Sequence, residues 1–285
     1  MSDSPLGNRL LLVAAAVLFS TGGAAIKSAS LTSWQVACFR SGVAALVLLA
    51  ALPQARRGWT WRIAPVASAY AATLIAFVIA TRLTTSANAI FLQSTAPLYL
   101  LLLGPLLLKE PIRREGLFYM LAVAAGMALF FAGSQPALVT APDPPRGNVV
   151  ALFSGFTYAL TLAGLRWAGR RHGRDAGLAA VTMGNAIACL VTLPAALPLR
   201  SISFAGGAVI LYLGVFQIGV AYVCVTRAMR HVTAFEANTV LLLEPALNPV
   251  WAWMVHGERP PAMALTGGAV ILSATLAHTW LTRRA

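Results

Sequence analysis

Acidic residues are scarce in this sequence: eight Asp and Glu stand against 21 Lys and Arg, and charged residues of both signs make up only 10% of 285 positions. Soluble domains carry roughly 25% charged residues, so the chain lacks the polar surface that a water-soluble globule needs. Cysteine is rare as well. Cys38, Cys189 and Cys224 are odd in number, lie inside apolar runs and show no CxxC spacing. They read as small buried hydrophobes with no redox or metal role, and nothing implies a cofactor. Alternating strands of about ten residues, the mark of an outer-membrane barrel, are also missing.

What the chain has in abundance is apolar sequence, 59% hydrophobic, with a mean hydropathy of +0.76. The expected solvent is lipid. A net charge of +13 would raise nucleic acid as a partner of a soluble protein. Here the basic residues are scattered between long apolar runs, as in proteins anchored to the cytoplasmic leaflet, so the partner is the lipid bilayer and not nucleic acid.

A helix crossing a hydrocarbon layer of ~30 Å needs about 20 apolar residues. Ten such runs appear, over 9–27, 33–52, 62–82, 86–108, 114–133, 147–168, 176–197, 205–227, 233–256 and 261–281. The expected fold is an all-α polytopic membrane protein. With the N-terminus in the cytoplasm, fifteen Lys and Arg fall on the inner side and five (Lys27, Arg82, Arg146, Arg200 and Arg259) on the outer side, with Arg40 inside a span. The excess of inner charge predicts that both termini are cytoplasmic.

The first span resembles a cleavable signal peptide, with Gly22, Gly23 and Ala24 after its apolar stretch. It is retained in this reading, because Gly7-Asn8 opens the first span as Gly147-Asn148 opens the sixth. The pairing goes further. Residues 86–111 align with 234–259 at a constant offset of 148, matching Pro97 to Pro245 and Glu110 to Glu258, and Thr81-Arg82 matches Thr226-Arg227. Two halves of five helices result, 1–138 and 139–285. Because five is odd, the second half enters the membrane inverted relative to the first, a device of secondary transporters whose substrate site lies near the midplane.

The Pro within the fourth and ninth spans, each followed thirteen residues later by Glu, resembles the EamA-type repeat of the drug/metabolite transporter superfamily, as does Glu244-Pro245. The resemblance covers nearly the whole chain, and ten helices in a 5+5 arrangement fit it. Within the superfamily the sequence is most similar to the YddG-type aromatic amino-acid exporters. The resemblance implies a bacterial inner-membrane carrier working by alternating access on a small metabolite, an amino acid and especially an aromatic one.

Glu244 is the sharpest candidate among the residues. It falls about 16 Å into the ninth span at 1.5 Å per residue, close to the bilayer centre. A carboxylate there costs several kcal/mol unless paired, hydrated or protonated. It can bind a substrate ammonium, exchange a proton to couple transport, or bond the backbone groups that Pro245 frees. Asn248 and Trp251 follow at i+4 and i+7 on the same face. Pro245 and Pro249 each remove a backbone donor and predict kinks, as do Pro97 and Pro105 in the fourth span.

Polar and aromatic stripes recur elsewhere: Tyr70, Thr73, Phe77 and Thr81 in the third span; Tyr222 and Thr226 in the eighth; Ser154, Thr157, Tyr158 and Thr161 in the sixth; Asn88, Phe91, Thr95 and Tyr99 in the fourth. Facing lipid would be costly, so they line an interior suited to a flat, partly apolar solute, or glue helices together. The offset of 148 places Gln93, matched to Leu241, on the Glu244-like face, about 100° from the Thr95–Tyr99 stripe. Which face of the fourth span meets the cavity is left open.

Arg40 either meets a substrate carboxylate or, as the depth of ~10 Å favours, snorkels to the surface. Lys27, Glu110, Glu236 and Glu258 sit near span ends, where water is at hand, as anchors or gate contacts. Gly116, Gly126 and Gly133 in the fifth span and Gly267 and Gly268 in the tenth mark packing surfaces that meet each other or a second copy, so the oligomeric state stays open. Trp59, Trp61 and Trp280 belong to an aromatic belt. Other readings are a carrier for a different metabolite, a multidrug efflux protein and a channel. A membrane-embedded enzyme is disfavoured by the lack of HExxH, of paired carboxylates in one helix and of a Ser/His/Asp cluster.

Overall fold

The computed structural model describes residues 5–103, 114–132, 137–173, 175–198, 202–228 and 240–284. Among them every regular element is a helix, apart from one isolated antiparallel bridge between Leu138 and Ala141. Among the described residues six helical stretches are long and apolar enough to cross a bilayer: Leu6–Ser28, Ser33–Ala51, Trp61–Leu83, Pro144–Gly169, Asp175–Ala196 and Phe204–Ala228. Gly116–Leu129 and Ala262–His278 are shorter apolar helices. Pro105, Lys109, Glu110, Gly133, Arg200 and Glu236, singled out in the sequence, lie outside the described residues.

The spans are less regular than their hydropathy suggests, and the irregularities cluster near the bundle centre. The first is divided into α1 (Pro5–Ser20) and α2 (Gly22–Ser28). At the break the Thr21 hydroxyl bonds Leu18 O and the Tyr212 hydroxyl, at 2.7 and 2.8 Å. Next, α3 (Ser33–Ala51) opens on a reciprocal cap. Thr32 Oγ1 accepts from Gln35 N at 3.2 Å while Gln35 Oε1 accepts from Thr32 N at 3.1 Å, satisfying two donors that a helix start leaves orphaned. Then α4 (Ala64–Leu83) carries Pro65 in its first turn, where no helical donor is lost.

The fourth span is broken into α5 (Ser86–Gln93) and α6 (Ala96–Leu103). Pro97 has no N–H to give to the carbonyl four residues back. The chain turns at Ser94 and Thr95, and the Thr95 hydroxyl donates to Leu92 O at 2.6 Å. After α7 (Arg114–Ala132) come two long helices, α8 (Pro144–His172) and α9 (Asp175–Ala196). The eighth span runs from α10 (Phe204–Leu211) through a π-helical stretch, Tyr212–Val220, into α11 (Ala221–Ala228). Wide turns of this kind are rare and favour functional sites. In the ninth span a turn at Leu242 precedes α12 (Leu243–His256). Pro245, expected as a mid-helix kink, therefore lies in a first turn, where its missing donor costs least, and Pro249 is the proline inside the helix. The chain ends in α13 (Ala262–Arg284).

Packing joins α4 to α8 and α1 to α11; α12 lies against α1 and α2, while α5 and α6 lie against α8. Further pairs are α3 with α9, α4 with α9, α3 with the π-helical stretch, and α7 with α13. The small residues of α7 and α13 thus face each other: a Cβ at Gly126 would stand 2.8 Å from Ile271 and 3.0 Å from Gly267 O, so the two backbones touch. With no hydrophobic drive between helices in lipid, such close van der Waals contact is a main source of cohesion.

Candidate functional site

A cavity of about 140 Å³ sits where the broken helices meet. Tyr70 and Phe77 of α4, Gln93 of α5, Tyr158 of α8, Tyr222 of α11 and Glu244 of α12 all line it, with Pro245 beside them. The rings pack edge to face: Tyr222 lies 5.4 Å from Phe19 and 6.2 Å from Tyr70, at interplanar angles of 76° and 88°. This arrangement lets the positive edge of one ring meet the negative face of the next. Gln93 is held by a 2.7 Å hydrogen bond from its Nε2 to Ser154 Oγ. Glu244, in the first turn of α12, makes no hydrogen bond or ion pair among the described residues.

The fourth span therefore turns Ile90, Gln93 and Ser94 to the cavity. Its other stripe goes elsewhere. Thr95 packs on Gly155, Tyr99 meets Phe156 edge to face at 5.7 Å, and Phe91 covers Gly268. On α12, Asn248 and Trp251 point toward the first span and not into the cavity. A Cβ on Gly23 would stand 2.7 Å from Asn248 Oδ1, and Trp251 Nε1 donates to Ser20 Oγ at 2.8 Å. Thr157 serves helix cohesion, accepting from Thr73 Oγ1 at 3.0 Å and donating to Ser154 O at 3.0 Å. Pro97 lies in the first turn of α6.

Arg40 departs from expectation. It does not snorkel: it is 1% exposed and lines the cavity, with Nη2 donating to Leu74 O at 3.1 Å. Its side chain turns inward to α4, where Leu74 O takes the hydrogen bond, and beside it the π-helical stretch approaches α3 closely: a Cβ on Gly214 would lie 2.5 Å from Val43 and 2.9 Å from Arg40 O. The sequence reading also missed Phe19 and Gln217, which line the cavity. Gln217 carried a usable signal as a lone amide in an apolar run.

A second polar cluster closes one end of the bundle. Lys27 Nζ lies 2.6 Å from Glu258 Oε1, with the side chains 2% and 1% exposed. Lys27 also donates to Thr84 O at 2.8 Å and to Thr140 O, and Ser86 N donates to Glu258 Oε2 at 2.9 Å. Arg82 donates to the carbonyls of Ala29, at 3.1 Å, and Leu31. The expectation of water at these helix ends is thus overturned for Lys27 and Glu258, because the loops after α2, α4 and α12 fold together over them.

Membrane-length apolar helices gathered around a polar, ring-lined cavity define a multi-pass membrane protein with an interior solute-sized site. The family model for the EamA-like transporter family matches residues 8–132 and 145–279. The chain belongs to that family, within the drug/metabolite transporter superfamily, and its family is one of transporters. It is 26% identical over 283 residues, 94% of each chain, to the pseudopaline exporter CntI of Pseudomonas aeruginosa. A 64-residue stretch is 36% identical to an uncharacterized transporter of Clostridium kluyveri, covering 22% of this chain and 21% of that one. A solved crystal structure superposes with a TM-score of 0.62 at 18% identity, over 99% of this chain and all of the other.

Proposed function

We propose that the protein is a secondary transporter that exports small metabolites, amino acids and especially aromatic ones, across the bacterial inner membrane by alternating access. The observation that carries this reading is the ring-lined cavity with Glu244 at the start of a broken helix. Rings flanking a lone carboxylate suit an amine-bearing solute with a flat apolar part. A cavity of about 140 Å³ is close to the ~150 Å³ that takes one benzene molecule.

Two inverted repeats, 1–138 and 139–285, are the architecture of this proposal. Exchange of the halves turns the α4–α8 contact into the α11–α1 contact and the packing of α5 and α6 on α8 into that of α12 on α1, and it maps the α3–α9 and α7–α13 pairs onto themselves. That pattern supports a twofold relation between the halves. With both termini cytoplasmic, the cluster around Lys27 and Glu258 lies on the outer side as a closed gate, and the cavity beneath it is sealed from that side. Glu244 binds the amine or carries the coupling proton.

The 26% likeness to a pseudopaline exporter favours a second reading, in which the exported solute is a metabolite other than a standard amino acid. Counterflow in proteoliposomes, with and without a proton gradient, separates the two. Tryptophan and phenylalanine are expected to compete at least tenfold better than alanine. Equal competition by all three discards the aromatic assignment.

A further inference from the structure

We propose that Arg40 is the carboxylate-binding residue of the cavity, and that the solute is a zwitterion held between the Arg40 guanidinium and the Glu244 carboxylate. This rests on the cavity being the transport site and names the chemical class that the site takes.

The Arg40 side chain is among the largest fully buried ones of the described residues. Its Nε is buried without a hydrogen-bond partner, and the bond to Leu74 O is with a neutral group. Among the described residues no carboxylate lies within ion-pair distance of it. An isolated buried charge is one of the most costly features a fold can carry, and it is normally paired. Lysine can escape by losing its proton. A guanidinium cannot, because it stays charged throughout the accessible pH range.

A fold that retains such a group beside a cavity leaves the compensation to what enters the cavity. The planar fork with its parallel N–H donors matches a carboxylate in two-point contact. Glu244 lines the same cavity with the opposite sign, and the two groups do not neutralise each other. The cavity thus holds one positive and one negative group with Tyr70, Phe77, Tyr158 and Tyr222 around them. A solute bearing a carboxylate and an ammonium on the same carbon, with a ring attached through its side chain, satisfies all of them. An amine without a carboxylate leaves Arg40 unpaired, so the site rejects lipophilic cations as well as selecting zwitterions.

The test uses the full chain in nanodiscs, titrated with L-phenylalanine, 2-phenylethylamine and 3-phenylpropionate, alongside the Arg40→Gln and Arg40→Lys variants. Phenylalanine is expected to bind at least tenfold more tightly than phenylethylamine. Arg40→Gln should lose at least tenfold in affinity for phenylalanine and phenylpropionate and bind phenylethylamine no more weakly than the parent does, and Arg40→Lys should fall between. The unliganded Gln variant should melt no lower than the parent, since it removes an uncompensated charge, and this separates loss of binding from misfolding. Phenylethylamine binding as well as phenylalanine, neither carboxylate binding at all, or all three ligands losing affinity alike in the Gln variant each overturn the proposal. Flux in proteoliposomes is read separately: Arg40-dependent binding without flux removes the transport reading and keeps the site, and phenylalanine flux unchanged in Arg40→Gln does the reverse.

Discussion

Lys27 and Glu258 meet at 2.6 Å with both side chains almost fully buried, and they join the end of α2 to the loop after α12. The carbonyls of Thr84 and Thr140 and the amide of Ser86 complete the set, so four segments distant in sequence close on one ion pair. Removing one partner of such a pair leaves a buried uncompensated charge and costs about 3–5 kcal/mol, whereas replacing both by apolar groups is often neutral. Glu258→Gln is expected to lower the melting temperature in detergent sharply, and Lys27→Met with Glu258→Leu to recover most of the loss. An unchanged melting temperature in the single variant would show that the pair is hydrated and holds no gate.

For Glu244, the expected result of Glu244→Gln is a folded, inserted protein whose flux no longer responds to pH. The carboxylate has no hydrogen-bond or ion-pair partner among the described residues to lose, so stability should change by less than about 1 kcal/mol, in the range of a substitution that breaks no buried network. Flux measured between pH 5.5 and 8.5 decides the matter. A Gln variant with the parent's rate and pH profile removes Glu244 from the mechanism.

The class of the protein was legible in the sequence because lipid imposes one strong rule, that every backbone polar group be satisfied within the segment, and long apolar helices are its direct trace. Glu244 and Arg40 stood out for the same reason, as charges where charge is costly. What could not be read were features set by contacts between distant segments. The phase of the fourth span depends on Gln93 meeting Ser154 in α8. The inward course of Arg40 goes with its bond to Leu74 O in α4, a contact between distant segments. Hydropathy showed Tyr212–Val220 as ordinary helix, because a change in hydrogen-bond register leaves no mark on composition.

That contact at Gly214 has its own consequence. A Cβ there would lie 2.5 Å from Val43 and 2.9 Å from the backbone oxygen of Arg40, which cannot swing aside as a flexible side chain does. Overpacking of this kind costs about 1–3 kcal/mol. Gly214→Ala is expected to destabilise the protein by that amount and to weaken ligand binding through the displaced Arg40. Val43→Ala in the same chain removes Cγ1 but leaves Val43 Cβ at 2.5 Å and the Arg40 oxygen at 2.9 Å, so it should restore little of the loss, and thermal unfolding of the single and double variants measures both. A Gly214→Ala protein as stable as the parent would mean that the π-helical stretch does not press on α3.

Two of the three cysteines, read from the sequence as inert, are brought together by the packing of α3 on α9: Cys38 Sγ lies 3.6 Å from Cys189 Sγ and 3.3 Å from Cys189 O. Both are reduced, and Cys38 is buried. A membrane-permeant oxidant that takes two electrons and two protons from the thiol pair should therefore link residues 38 and 189, while Cys224, on α11, stays free. Peptide mapping after copper phenanthroline treatment reads the result, with Cys38→Ser as the control that abolishes the link. Cross-linking through Cys224 instead, or none at all under conditions that oxidise buried thiols in the same membranes, would separate α3 from α9.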